Sequence, residues 1–128
     1  MRVLFLDAAD AIDIHALQLQ KFGGLDGIRD RALLHSAINE PKATFAGQYL
    51  YRTLFDKAAA YGFGLIKNHP FVDGNKRTGM ASAITFLLYN GIKIELKNGE
   101  LYHWGMAVAT SQITREQLAR ELKKISKK

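Results

Sequence analysis

Between His69 and Arg77 the chain places, within nine positions, a titratable imidazole, the carboxylate of Asp73, a Gly74-Asn75 turn and two adjacent cations, Lys76 and Arg77. An apolar, helix-forming run from Met80 to Leu88 follows directly. A turn that feeds a helix points backbone N–H groups and the positive end of the helix dipole at whatever stands in front of it. Lys76 and Arg77 add formal charge there, Asp73 is an oxygen ligand for a divalent cation, and His69 takes a proton near neutral pH. These residue types together describe a site that binds a nucleotide phosphate through Mg²⁺ and activates a hydroxyl against it. A plain structural turn accounts for part of the pattern, because Pro-Phe and Asp-Gly are turn signals and Asp and Asn cap helices. It does not account for cations in the first turn, where they oppose the dipole at a cost of a few tenths to about 1 kcal/mol unless an anion is near.

The roles follow from the chemistry. A Ser or Thr hydroxyl is nearly unreactive until its proton is accepted, and His69 is the candidate general base. Asp73 is the candidate Mg²⁺ ligand, acting through the nucleotide phosphates, or the start of an Asx turn before Gly74. Gly74 and Asn75 form the phosphate-binding turn, with Asn75 contributing its side chain, its N–H or a helix cap. Lys76 and Arg77 hold phosphates and stabilise charge developing on the transferred group. Other candidates read as structural. His15 lies on a half-buried helix face and is expected to be a core histidine. His35 and His103 have no partner at a useful spacing. Thr78 and Ser82, one turn apart, are expected to bond back to their own helix. Gly23-Gly24-Leu25-Asp26-Gly27 lacks the Lys-Ser/Thr of a P-loop and follows a helix, so it reads as a turn that carries Ile28 and Arg29 into place.

The elements that must position this site read as mostly helical. Val3 to Leu6 is a short strand or extended arm. Asp7 caps a first helix ending at Phe22, with Ile12, Ala16 and Leu19 on one face. Asp30 caps a second helix that Pro41 ends. A third runs from about Leu50 to Asn68 with Leu54, Ala58, Tyr61 and Leu65 inward. The fourth starts near Asn75 and ends at Asn90-Gly91, with Met80, Ile84, Leu87 and Leu88 as its core face. Ile92 to Leu96 alternates as a short edge strand, a fifth helix follows Asn98-Gly99, and Thr114 with Gln117 makes a capping box for a sixth. His69 falls at the seam between the third and fourth helices, an expected cleft.

Composition bounds the rest. The 128 residues are 48% hydrophobic and contain no Cys, which excludes disulfides and thiolate metal sites. We expect one domain spanning residues 1–128, without a signal peptide or membrane-spanning run, in the cytoplasm. The net charge is +6, but six basic and two acidic residues lie between Arg115 and Lys128. Most of the excess is thus a solvated C-terminal face, and direct nucleic-acid binding is not expected.

The run from His69 to Arg77 resembles the signature of the Fic/death-on-curing (Fido) family, written H-x-F-x-(D/E)-G-N-x-R: His69, Phe71, Asp73, Gly74, Asn75 and Arg77 match. Phe22 to Asp30, Leu33 to Pro41, Leu54 to Ala59 and Ile66 to Asn68 are similar to the death-on-curing branch, so the likeness covers nearly the whole chain. The AMP-transferring pattern has Gly where this chain has Lys76, and a second Arg where it has Met80. The resemblance implies an all-α fold, a compact Fido bundle of about six helices with at most short β segments. It implies a toxin of a toxin–antitoxin pair, with ATP and Mg²⁺, that transfers the γ-phosphate to a Ser/Thr hydroxyl of a protein target, expected to be a translation elongation factor. AMP transfer to a protein hydroxyl on the same fold is the alternative, and a catalytically idle antitoxin-binding module a third reading. Many Fic proteins carry an inhibitory helix; Ser36 to Glu40 comes nearest to its pattern, but Pro41 breaks it. The resemblance therefore implies an antitoxin acting in trans, with a disordered tail that folds on binding.

Overall fold

Three capping boxes and one single side-chain cap set where four of the helices begin. The computed structural model describes residues 2–97 and 99–127, which leaves Met1, Asn98 of the predicted Asn98-Gly99 turn and the terminal Lys128 outside. Asp7 and Asp10 satisfy each other's backbone N–H groups at the start of α1 (Ala8–Phe22), and Asp30 caps α2 (Arg31–Asn39) through the Leu33 N–H. Pro41 then turns the chain through a 3₁₀ segment, Glu40–Lys42. A hairpin of β1 (Thr44–Phe45) and β2 (Gln48–Tyr49) follows.

Helix α3 runs over Leu54–Asn68, four residues later than the expected start at Leu50. Its true signal is a capping box of Thr53 with Asp56. The preceding Tyr51 and Arg52 stay outside the helix because the buried Lys57 ammonium donates to both of their carbonyls, at 2.7 and 3.1 Å, and sits over the Tyr49 ring. Helix α4 spans Asn75–Tyr89, α5 spans Glu100–Ala109, and α6 spans Arg115–Ile125 behind the predicted Thr114/Gln117 box. Of the predicted edge strand, β3 (Lys93–Ile94) forms, and pairs with β4 (Ser126–Lys127) in antiparallel register. The fold is thus helical, with two short two-stranded ribbons among the described residues.

Helix α4 is central, touching α1, α3, α5 and β3, and its heaviest contact is with α3. Gly62 of α3 and Gly79 of α4 meet at that crossing. A Cβ on Gly79 would stand 2.6 Å from Ile66 Cγ1 and 3.0 Å from the Gly62 carbonyl oxygen. Around the crossing one core gathers Leu34, Tyr61, Leu65, Phe71, Met80, Phe86, Leu87, Val108, Leu118 and Leu122. Leu88, expected in that core, is exposed; the buried face of α4 is Thr78, Gly79, Met80, Ser82, Ala83, Phe86 and Leu87. Small residues line it because the neighbouring backbone comes so close. Thr78 Oγ1 and Ser82 Oγ are buried without a partner among the described residues, rather than bonded back to the helix.

Residues 3–6 form an extended arm with no strand. Asn90 takes the place of a neighbouring strand, accepting from the Leu4 N–H and donating to its carbonyl, each at 2.9 Å. Tyr61 Oη does the same for Leu6. No helix is long and apolar enough to cross a membrane among the described residues.

The Ile66 side chain and the Gly62 carbonyl together oppose any atom added at Gly79. Gly79→Ala is expected to lower unfolding stability by about 1–3 kcal/mol. A urea midpoint equal to that of the parent would show that the crossing has room.

Candidate functional site

The residues between α3 and α4 are held by four separate devices. Phe71, fully buried, is the loop's anchor. The buried Asn75 amide bonds both backbone groups of Phe71: Oδ1 accepts from its N–H at 3.0 Å and Nδ2 donates to its carbonyl at 2.9 Å. The His15 ring stacks on the Phe71 ring at 3.8 Å between centroids and 5° between planes. Its Nε2 donates to the Asp73 carbonyl at 2.8 Å, which fixes the tautomer, since a carbonyl can only accept. Finally, the loop over residues 27–30 runs antiparallel to residues 70–72, with the Arg29 and Asp30 N–H groups donating to Pro70 O and Val72 N–H donating to Gly27 O.

His69 caps the end of α3 in the left-handed conformation, φ 54° and ψ 54°. A non-glycine residue there is uncommon and needs outside support. Arg29 supplies it: Nε donates to His69 O at 2.7 Å and Nη2 to Asn68 O at 2.9 Å. The side-chain amide of Asn68 in turn donates to Leu33 O on α2. The His69 residue itself is exposed, so the geometry leaves its imidazole open to a substrate while its backbone is fixed.

Gly74 stands at φ 81° before α4, and no side chain caps that helix. Its first-turn N–H groups therefore have no partner within the helix and face the loop as an anion cradle. Asn75 contributes to this only through its backbone, because its amide is spent on Phe71. Lys76 and Arg77 form no ion pair among the described residues. The Lys76 backbone is hard against α5, where a Cβ on Gly105 would lie 2.8 Å from Lys76 O. The Arg77 guanidinium lies over the rings of Phe22 and Tyr102, 4.2 and 4.8 Å from their centroids.

Asp73 is exposed, and its two oxygens accept from Leu25 N–H at 3.2 Å and Gly74 N–H at 2.9 Å. The Leu25 bond first, then the Gly74 bond, holds its carboxyl below the usual carboxylate range, aided by His15 and Lys76. It is thus ionised at neutral pH, and the stability it contributes is present there and lost as pH falls through the lowered value. Gly24, at φ +125°, is the neighbour that allows this: a Cβ there would stand 2.9 Å from Asp73 Oδ2. No group of three or more His, Asp or Glu side chains converges on a metal-sized spot among the described residues. A Mg²⁺ that rests on one carboxylate and substrate oxygens needs no such group.

His69, Asp73, Gly74, Asn75, Lys76 and Arg77, all six residues singled out from the sequence, line one small hollow of about 90 Å³, with Tyr102 as its remaining wall. A second hollow of about 230 Å³ shares Asp73, Gly74 and Arg77 and is walled by Gln18, Leu19, Phe22, Gly23 and Gly24. A larger hollow, about 440 Å³ between α5 and α6, contains none of these residues. Glu40, the closest match to an inhibitory glutamate, instead accepts from Tyr51 Oη at 2.5 Å in a hollow without motif residues. His15, Arg29, Phe22 and Tyr102 are the supporting residues that sequence reasoning did not assign. The apolar face expected on α1 is displaced: Ala16 is exposed, and the buried stripe is Ala11, His15 and Gln18.

A helix start without a side-chain cap, two cations without ion pairs among the described residues, an exposed carboxylate and an exposed imidazole thus stand together on a helical scaffold. The Fic/DOC family model matches residues 5–87. The chain belongs to the Fic/DOC family. Among curated proteins it is similar to the Toxin Doc of Mycolicibacterium smegmatis, 43% identical over 90 residues, which covers 70% of this chain and 67% of the relative. It is also similar to the protein kinase doc of Escherichia phage P1, 29% identical over 116 residues, covering 91% and 90% of the two chains.

Removing the Asn75 amide leaves a buried N–H and a buried carbonyl of Phe71 unpaired. Asn75→Ala is expected to cost about 2–6 kcal/mol of unfolding stability, from about 1–3 kcal/mol for each of the two orphaned groups. Chemical denaturation measures it; a loss under about 0.5 kcal/mol, the range of a neutral surface change, would mean that the loop does not depend on this amide.

Proposed function

We propose that this protein is the toxin of a toxin–antitoxin pair and transfers the γ-phosphoryl group of ATP to a Ser or Thr hydroxyl of a protein target. The observation that carries this reading is the gathering of an open imidazole, an ionised carboxylate and two unpaired cations around one uncapped helix start. The names of the two relatives, a toxin and a protein kinase, support it. The likeness to the death-on-curing branch points to a translation elongation factor as the target and to an antitoxin that inhibits in trans.

In this mechanism His69 accepts the proton of the target hydroxyl as its oxygen forms a bond to the γ-phosphorus. The bond from that phosphorus to the β–γ bridging oxygen breaks, and ADP leaves. The first-turn N–H groups of α4, with Lys76 and Arg77, hold the phosphate oxygens and stabilise the charge that develops on them. Asp73 is the residue that would hold Mg²⁺ beside those oxygens; when bound, the ion neutralises phosphate charge. Lys76 takes the place of the glycine that brings the backbone close to a pyrophosphate in AMP-transferring relatives, and offers a mobile ammonium instead.

Incubating the protein with a bacterial lysate and ATP labelled separately at the α and γ positions tests the reaction. Label from γ alone is expected on protein, and label from α would replace this reading with AMP transfer. His69→Ala should abolish transfer while leaving Mg·ATP affinity within a few-fold, and growth arrest on expression should vanish with it; a variant with normal transfer would remove His69 from the mechanism.

Asp73 and Arg77 are separable. Arg77→Ala deletes a charge-assisted contact of about 1.5–3 kcal/mol, or roughly 10- to 150-fold. The defect of Asp73→Ala should shrink as Mg²⁺ is raised, and that of Arg77→Ala should not. Identical magnesium responses in a titration of activity would show the metal ligand to be misassigned.

A further inference from the structure

Arg77 is held in an unusual way for a phosphate-binding arginine. Its guanidinium lies over the faces of two rings from two other helices, Phe22 at the last residue of α1 and Tyr102 in the first turns of α5. Both rings are substantially exposed, at 53% and 37%, so core packing does not explain where they sit. No carboxylate or carbonyl holds Arg77 among the described residues. A cation–π contact engages the face of a guanidinium, whereas a salt bridge would engage its edge. The five N–H donors lie along that edge, and they are the groups a phosphate needs. A ring therefore fixes the side chain without consuming its donors, which a carboxylate cannot do.

We infer that Phe22 and Tyr102 form an aromatic clamp that positions Arg77 and keeps its donor edge free for the phosphate oxygens of the substrate. Both are positioning residues, acting through Arg77. The clamp also joins the two hollows, since Phe22 walls one, Tyr102 walls the other, and Arg77 belongs to both. The inference rests on the phosphate-handling role proposed above for Arg77. The chemistry demanded of each clamp residue is a π face alone; the Tyr102 hydroxyl plays no part in it.

The full-length protein is tested as Phe22→Leu, Tyr102→Leu and the pair together, with Tyr102→Phe as the conservative variant, each also on an Arg77→Ala background. Exposed positions of this kind should leave the thermal midpoint nearly unchanged. Two readouts decide the matter. The first is the NMR signal of the Arg77 Nε proton in the ligand-free protein, which ring shielding displaces while the clamp exists. It is expected to return to the ordinary range in the Leu variants and to stay displaced in Tyr102→Phe. A signal that Leu replacement leaves unmoved overturns the clamp. The second is γ-phosphoryl transfer: the Leu pair should lower kcat/KM for ATP by about 3- to 30-fold. Tyr102→Phe should match the parent, and the Leu replacements should cost nothing more once Arg77 is alanine. A full loss on the Arg77→Ala background overturns the positioning role. If the parent transfers no phosphate at all, the functional reading fails by itself. The clamp is then decided by the NMR signal together with calorimetric pyrophosphate affinity, which the Leu pair should weaken and Tyr102→Phe should not.

Discussion

The buried amide of Asn75, bonded to both backbone groups of Phe71, is the constraint on which the rest of the site depends. It closes the loop between α3 and α4 into a fixed ring, with Phe71 driven into the core as its anchor. His69, Asp73 and the uncapped start of α4 line one hollow beside that ring. Were Asn75 to spend its amide on a ligand, the Phe71 N–H and carbonyl would be buried without partners, at about 1–3 kcal/mol each. The loop would then lose its shape at the moment of binding. Separating the tasks, with the side chain for the loop and the backbone N–H for the anion, avoids that conflict.

The convergence of the motif residues was easier to read from the sequence than their support. The six motif residues stand together as their types and spacing suggest, because short-range order from one turn and one helix start is enough to converge them. The scaffolding was harder to see, for a physical reason visible in α1. Its inward stripe holds Ala11, His15 and Gln18, two of them polar. A search for apolar periodicity picks Ile12, Ala16 and Leu19 instead and lands one residue away. His15 is inward because the loop needs a ring to stack on Phe71 and a donor for the Asp73 carbonyl, and no apolar side chain supplies both. Arg29 was placed by its turn but not given its task, since a guanidinium that holds the carbonyls of residues 40 and 39 positions away leaves no local pattern.

Boundaries failed where a tertiary contact competed with local propensity. Leu50 to Arg52 carries no breaker, yet Lys57 captures two of its carbonyls and the Thr53/Asp56 box starts the helix later. On α4 the expectation of a large apolar face gave way to small residues, and Leu88 turned outward. The unfavourable cations of the first turn, by contrast, were legible as a departure from helix chemistry. They remain without acidic partners among the described residues.

The crossing at Gly62 and Gly79 has a consequence for how this protein can change over generations. His69 hangs from the end of α3 and Lys76 and Arg77 from the start of α4, so the height of one helix against the other sets the gap between them. That height is set where the Ile66 side chain and the Gly62 carbonyl lie 2.6 and 3.0 Å from where a Gly79 Cβ would be. Leucines and phenylalanines farther out can be exchanged and repacked without passing their dimensions on to the gap. Core composition is thereby free to drift while the spacing at the reacting centre is inherited unaltered.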